Sequence, residues 1–330
     1  MFNAKFELTL LSKYRTELIG VATILIIVCH SVPYGLVMPG WLTTILQNGG
    51  IGVDIFLFLS GMGMHNSMKK HVSNEGKLFT WYYKRYIRII VPCFLIITPL
   101  VIWNPWHGTF NTLNFILGIS GFGAFWGLSN LWFVSSILIL YVLTPIFHVF
   151  LTCDRKWWWL WGLCIFCLLC GHIEFIPAAL RFCMPRWVSY LIGYTLADDI
   201  RKGKPASVWL YVVSPLFLYV VMFVCNHTVD TDFSLFWTQG IPVMTICALI
   251  IDKLHSTGLV GIFAFMGKIS LESYVTNEYL LRALAVFSWT HIESPVYCGK
   301  WTFYIVGTAL CILVSSFVNK ISNNLIGKIS

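Results

Sequence analysis

Charge is what this chain has least of. Of its 330 residues 11% are charged and 58% are hydrophobic, with a mean hydropathy of +0.77. Soluble domains carry about 25% charged residues, so this chain is too poor in charge to cover a water-facing surface, though not a lipid-facing one. It shows no cleavable signal peptide. The first apolar run starts near Gly20, after a polar lead with Lys5, Lys13 and Arg15. No small-residue cleavage site follows, so the run is expected to stay as a first span. A water-soluble domain, a long linker, a low-complexity tract and an internal repeat are all missing. A metal-ligand pattern is missing too. The eleven cysteines lie mostly inside apolar runs, as Cys164, Cys167 and Cys170 do. Cys164 and Cys167 form a CxxC without a second pair, and buried cysteine behaves as a small hydrophobe, so no metal is expected. The net charge of +8 does not point to nucleic acid, because the basic residues sit in short loops at the ends of apolar runs.

What is present is a series of apolar runs of roughly 16–20 residues, the length a helix needs to cross about 30 Å of hydrocarbon. Barrel strands would read as alternating segments of roughly ten residues. The expected fold is therefore an all-α integral membrane bundle of about ten transmembrane helices in one domain, 1–330, without a soluble domain. The spans fall at roughly 17–36, 50–68, 87–103, 131–151, 157–173, 185–199, 208–225, 236–252, 270–289 and 303–320. Lys and Arg gather in the N-terminal lead, in the loop with Lys69, Lys70 and Lys77, at Arg155 and Lys156, at Arg201, Lys202 and Lys204, and in the tail at Lys320 and Lys328. The loops at 104–111 and 226–232 contain neither. Both termini are thus expected in the cytoplasm. Segment 112–126 would reverse every later loop if it crossed, so it is expected to be re-entrant or interfacial. Arg181 and Arg186 oppose this orientation, standing at the outer end of span six.

Several ionisable residues sit where they are costly, about 2.5–3.5 kcal/mol each on insertion scales. His30 lies two-thirds of the way across span one in ILIIVCHSVPY. It is either a base, acid or metal ligand, or an interfacial histidine bonded to a neighbouring carbonyl. Asp54 opens span two among glycines. It either pairs with a buried His or Arg or is a helix N-terminal acid. Trp81 to Arg88 combine four aromatics with Lys84, Arg85 and Arg88. They form either an interfacial belt or a phosphate clamp in which Arg85 and Arg88 share a helix face. Span nine holds Glu272, Tyr274, Asn277, Glu278 and Arg282. This polarity should face protein or a watery cavity, and Glu278 with Arg282 suits an internal pair. Arg186 is either a functional cation or an interfacial anchor.

In this order the segments resemble the acyltransferase-3 family of multi-span membrane acyltransferases. The match is carried by Tyr14-Arg15-Thr16-Glu17-Leu18 before the His30 span and by Gly49-Gly50-Ile51-Gly52-Val53-Asp54-Ile55-Phe56 through Ser60-Gly61. It continues with Tyr83-Lys84-Arg85-Tyr86-Ile87-Arg88-Ile89 ending at Pro92, and Leu131-Trp132-Phe133 with Tyr141 and Pro145. Arg186 before Gly193, and Gly267-Lys268-Ile269-Ser270-Leu271-Glu272 with Tyr274, complete it. The resemblance implies an acyl-CoA-dependent O-acyltransferase that takes an acyl group, usually acetyl, from the cytoplasmic side. The acceptor is a hydroxyl of a cell-envelope or exported polysaccharide. It implies His30 as the base, with Asp54 and Glu272 as further catalytic residues. Lys84, Arg85 and Arg88 would hold the CoA, while Arg15, Glu17, Arg186 and Tyr274 would serve substrate or transition state. Acyl-CoA enters as donor substrate, with no bound cofactor, and the partners are the bilayer, the donor and a glycan acceptor. The setting implied is a bacterial plasma membrane. Two positions depart from the family pattern: Ile19 stands where many members have Arg, and Asn277 falls where a His often follows the span-nine Tyr. A transporter or flippase of a lipid-linked sugar is the alternative, though transporters often show repeated halves or paired broken helices.

Overall fold

The computed structural model describes residues 5–34, 36–74, 76–103, 112–126, 131–229, 237–289 and 301–329. In chain order its elements are β1 (Lys5–Glu7), α1 (Thr9–Lys13), α2 (Arg15–His30), α3 (Gly40–Gln47), α4 (Gly52–Ser73) and α5 (Leu78–Trp103). There follow α6 (Thr112–Ser120), α7 (Trp132–Thr152), α8 (Lys156–Cys170), α9 (Ala178–Cys183) and α10 (Trp187–Arg201). After β2 (Pro205–Ser207) come α11 (Ser214–Val229), α12 (Trp237–Lys253), α13 (Gly258–Lys268), α14 (Ser270–Trp289) and α15 (Trp301–Ile329).

Each of the ten apolar segments is helical. Among the described residues, Gly40–Ser73, Trp132–Thr152 and Trp301–Lys328 are long and apolar enough to cross a membrane alone. A fourth crossing results if α13 and α14 together make one broken span. Segment 112–126 is a nine-residue helix and a short 3-10 turn. The Lys- and Arg-free loop at 104–111 lies outside the described residues, as does 230–232 of the second. One β element was not expected: β1 and β2 pair antiparallel, with Phe6 opposite Ala206.

The chain forms two compact units. The first holds residues 1–22, 51–76 and 140–268. Its centre is the contact between α4 and α10, where Tyr190, Tyr194, Phe58 and Leu59 are fully enclosed. Small residues allow this approach, as expected where lipid tails compete with side chains for apolar contact. A Cβ on Gly61 would collide with the Tyr190 carbonyl, and one on Gly193 with the Phe58 carbonyl. Two polar pairs bridge helices inside the unit: Thr144 pairs with the Tyr190 hydroxyl at 2.7 Å, and His148 with the Tyr194 hydroxyl at 2.8 Å.

The second unit holds residues 23–50, 77–139 and 269–330. Here α14 packs against α5 and α15. Thr276 of α14 and Ser315 of α15 share a hydrogen bond of 2.8 Å. Leu36, Leu281, Tyr304 and Cys311 form a buried cluster beside it. Pro92 and Pro99 interrupt the hydrogen-bond ladder of α5, where a ring clashes with the carbonyl four residues back and bends the helix.

Candidate active site

His30 is the last residue of α2. The first span was expected to run on to residue 36. It stops earlier because Pro33 has no amide hydrogen and pushes Val32 out of helical geometry. The amides of Ser31 and Val32 turn back to the carbonyls of Val28 and Cys29, each at 3.2 Å. The Ser31 hydroxyl donates to the Val28 carbonyl at 2.6 Å. His30 therefore stands at the carbonyl end of a helix, where the macrodipole favours positive charge.

The opposite wall is α14. His30 Nδ1 lies 2.6 Å from Asn277 Oδ1, and Nε2 lies 3.4 Å from Glu278 Oε1. The other Glu278 oxygen is 3.1 Å from Arg282, one turn on. Tyr274, one turn before, has its ring 6.4 Å from the imidazole, and Phe133 of α7 meets Tyr274 edge-on at 5.6 Å. The side chains of His30 and Glu278 are 21% and 10% exposed, so the imidazole is mostly enclosed yet reachable.

Tyr304 of α15 donates its hydroxyl proton to the Ile27 carbonyl. The Asn277 amide oxygen faces His30, and because that oxygen only accepts, Nδ1 carries the imidazole proton. Nε2 is left with a lone pair, as a general base requires.

The other expected site residues of this unit lie elsewhere on the same helices. Glu272 is buried and faces α15, accepting from Asn319 at 3.0 Å and from Ser322 at 3.5 Å. Lys84 and Arg88, one turn apart on α5, are both exposed. Arg85 is half-buried, with its guanidinium 5.6 Å from the centre of the Trp81 ring. The cations thus divide between an exposed pair and a stacked arginine.

In the first unit, Asp54 lies in the first turn of α4 and is buried. Its Oδ2 is 2.8 Å from Arg186 Nη1, and its Oδ1 accepts from Ser189 at 3.0 Å. Of the side chains of Arg186 and Asp54, 5% and 0% are exposed. Gly240 of α12 approaches Asp54 so closely that a Cβ there would press on the Asp54 Cβ at 2.7 Å. Arg15 points its Nε at the Leu59 carbonyl, 3.4 Å away, and Gly63 leaves room for its guanidinium. Glu17 is half-buried in the first turn of α2. Among the described residues, no group of three or more His, Cys, Asp or Glu could hold a metal ion.

The arrangement around His30 is that of an imidazole beside an amide and a carboxylate, within a largely apolar helical chain. The acyltransferase-3 family profile, described as an acyltransferase domain, matches residues 20–320. This chain belongs to that family. It is a membrane acyltransferase. No curated protein and no solved structure matches it. Within the acyltransferase chain, the residues not picked out as site residues are Asn277 and Glu278. Asn277 stood out as a departure from the family pattern and Glu278 as half of a local pair. The polarity of span nine signalled both, but their partner lies far off in the chain, 247 residues before Asn277.

Proposed function

We propose that this acyltransferase moves an acyl group, most simply acetyl, from acyl-CoA to a hydroxyl of a cell-envelope or exported polysaccharide. The observation that carries the reading is His30, with Nδ1 held by Asn277 at 2.6 Å and Nε2 turned away from that bond. A sugar hydroxyl is a poor nucleophile until a base takes its proton in the transition state, a contribution of about 10²–10⁴ in rate. Nε2 takes that proton as the hydroxyl oxygen bonds to the thioester carbon. The carbon–sulfur bond then breaks, and the proton passes to the departing CoA thiolate. The thioester oxygen needs positive or donor groups, for which Arg15 or Arg186 is proposed, with Glu17 and Tyr274 assigned to the substrate. Lys84, Arg85 and Arg88 supply cations for the phosphates of CoA.

The same reading takes the chain as one membrane domain with ten spans, both termini in the cytoplasm of a bacterial cell and the acceptor outside. It is supported by helical structure in all ten apolar segments. It is supported also by the shortness of α6, nine residues or about 14 Å at 1.5 Å per residue, against about 30 Å of hydrocarbon.

The test is transfer of label from radiolabelled acetyl-CoA to envelope glycan by the purified protein. Wild type should label the glycan, and His30→Ala should not, while eluting and melting like wild type. Undiminished labelling by His30→Ala sinks the assignment of the base. Glycan movement across vesicles without any labelling favours a transporter or flippase instead.

A further inference from the structure

Glu278 stands against the reactive nitrogen of His30 and has no part in the reaction as described so far. With Nδ1–H committed to Asn277, Nε2 and Glu278 Oε1 face each other at 3.4 Å. That is longer than the 2.7–2.9 Å or so of a charge-assisted N–H···O bond. The lone pair of Nε2 is therefore free for the acceptor hydroxyl, with a carboxylate waiting beside it.

Resting on the assignment of His30 as base, we infer that Glu278 is a positioning residue for the transfer: its carboxylate holds the imidazolium that forms when Nε2 takes the acceptor proton. The proton balance is closed. The acceptor O–H bond breaks and an Nε2–H bond forms, which places a full positive charge on the ring. The Oε1 carboxylate oxygen, 3.4 Å from Nε2 at rest, stabilises that charge while the C–S bond breaks. The same proton then leaves Nε2 for the CoA thiolate. Glu278 takes no proton itself, and no further reactant is needed.

The surroundings suit this role. From its own helix, Glu278 is faced by Arg282, whose guanidinium lies 3.1 Å from the second oxygen as an ion pair. Among the described residues, Tyr274 of α14, Tyr34 after α2 and Tyr304 of α15 are further titratable side chains near the pair, with Cys29 and Cys311 beside Tyr304. Among these and the residues bonded to His30, Glu278 alone can carry a negative charge opposite the ring without first losing a phenol or thiol proton.

The experiment is glycan labelling with acetyl-CoA by detergent-purified Glu278→Gln and Glu278→Asp, with kcat and the KM for acetyl-CoA measured separately. Glutamine keeps the shape and removes the charge. The expected result is a fall in kcat of about 10–100-fold, the lower part of the range for a proton-transfer contribution, with KM within threefold of wild type. Aspartate keeps the charge and should recover at least threefold over glutamine. A kcat within threefold of wild type for Glu278→Gln overturns the inference, as does an aspartate variant no better than glutamine. If glutamine fails to fold, aspartate alone decides: a lowered kcat at unchanged KM supports the role, and wild-type kcat overturns it. Failure of the underlying reading looks different, because His30→Ala would then keep its activity.

Discussion

Two buried polar clusters, one in each compact unit, answer the cost of polarity in opposite ways. In the first unit Asp54 is closed. Both its oxygens are bonded at 2.8 and 3.0 Å, to a guanidinium and a hydroxyl, and its side chain is 0% exposed. In the second unit His30 is half-open: one nitrogen is bonded at 2.6 Å, the other is 3.4 Å from a carboxylate, and the ring is 21% exposed. A carboxylate with both oxygens engaged and no exposure contributes by fixing where helices meet. A half-open cluster gives up some packing but keeps a lone pair for chemistry. Asp54 was expected among the catalytic residues, and its contacts also suit a residue that fixes Arg186 and α10.

That contrast is broken most directly by crossing the two readouts. His30→Ala should cost about 10²–10⁴ in transfer rate and leave thermal melting in detergent close to wild type. Asp54→Ala should do the reverse. It removes the carboxylate paired with buried Arg186, a change that typically costs about 3–5 kcal/mol. The melting temperature should drop sharply. Replacing both partners, Asp54→Leu with Arg186→Met, should regain much of that loss, because apolar residues of similar volume often serve a buried pair's place without penalty. If the double variant melts like wild type yet transfers nothing, then Asp54 or Arg186 acts in the chemistry after all.

Asn277 sharpens the contrast at smaller size. Asn277→Ala leaves Nε2 in place but removes the acceptor that fixes the imidazole tautomer. About a tenfold fall in kcat is expected, the order seen when a partner that orients a histidine is lost, with little change in melting. Asn277→Asp should fall less, since a carboxylate oxygen still accepts from Nδ1. Equal losses in the two variants would show that the amide matters for packing and not for the proton it accepts.

The sequence carried much of this organisation, and where it failed the causes are specific. Long apolar runs read correctly as helices because lipid leaves the backbone no other partner. The end of α2 was missed by six residues because the run stays apolar past His30, while Pro33 stops the helix. The start of α5 at Leu78 was missed because its first turns are too polar to count as a span. The helix α13 (Gly258–Lys268) fell between two expected spans, since eleven residues are too few to cross. His30, Asp54 and Arg186 stood out individually, as ionisable residues in or beside apolar runs do. What the sequence could not reveal was pairing. Asp54 meets Arg186 across 132 residues, and His30 meets Asn277 across 247, and no local spacing encodes either contact. Asn277 looked like a lost histidine and proved to be the partner of the one that remained.

The cations of α5 extend the series from closed and half-open to exposed, and the smallest effects belong there. Lys84 and Arg88 are exposed and Arg85 is half-buried over Trp81. Exposed charges contribute about 0.2–1 kcal/mol each to an interaction, so Lys84→Gln or Arg88→Gln should raise the KM for acetyl-CoA about two- to fivefold without moving kcat. Screening in about 0.5 M salt, where the Debye length is below 8 Å, should erase most of that difference. Arg85→Gln should raise KM more and lose less of its effect in salt, because its guanidinium is already fixed by the ring beneath it. A change in kcat for any of the three would move them from donor binding to the chemistry. A KM insensitive to all three would place the CoA phosphates on other residues, and leave the aromatic and basic start of α5 as an interfacial belt.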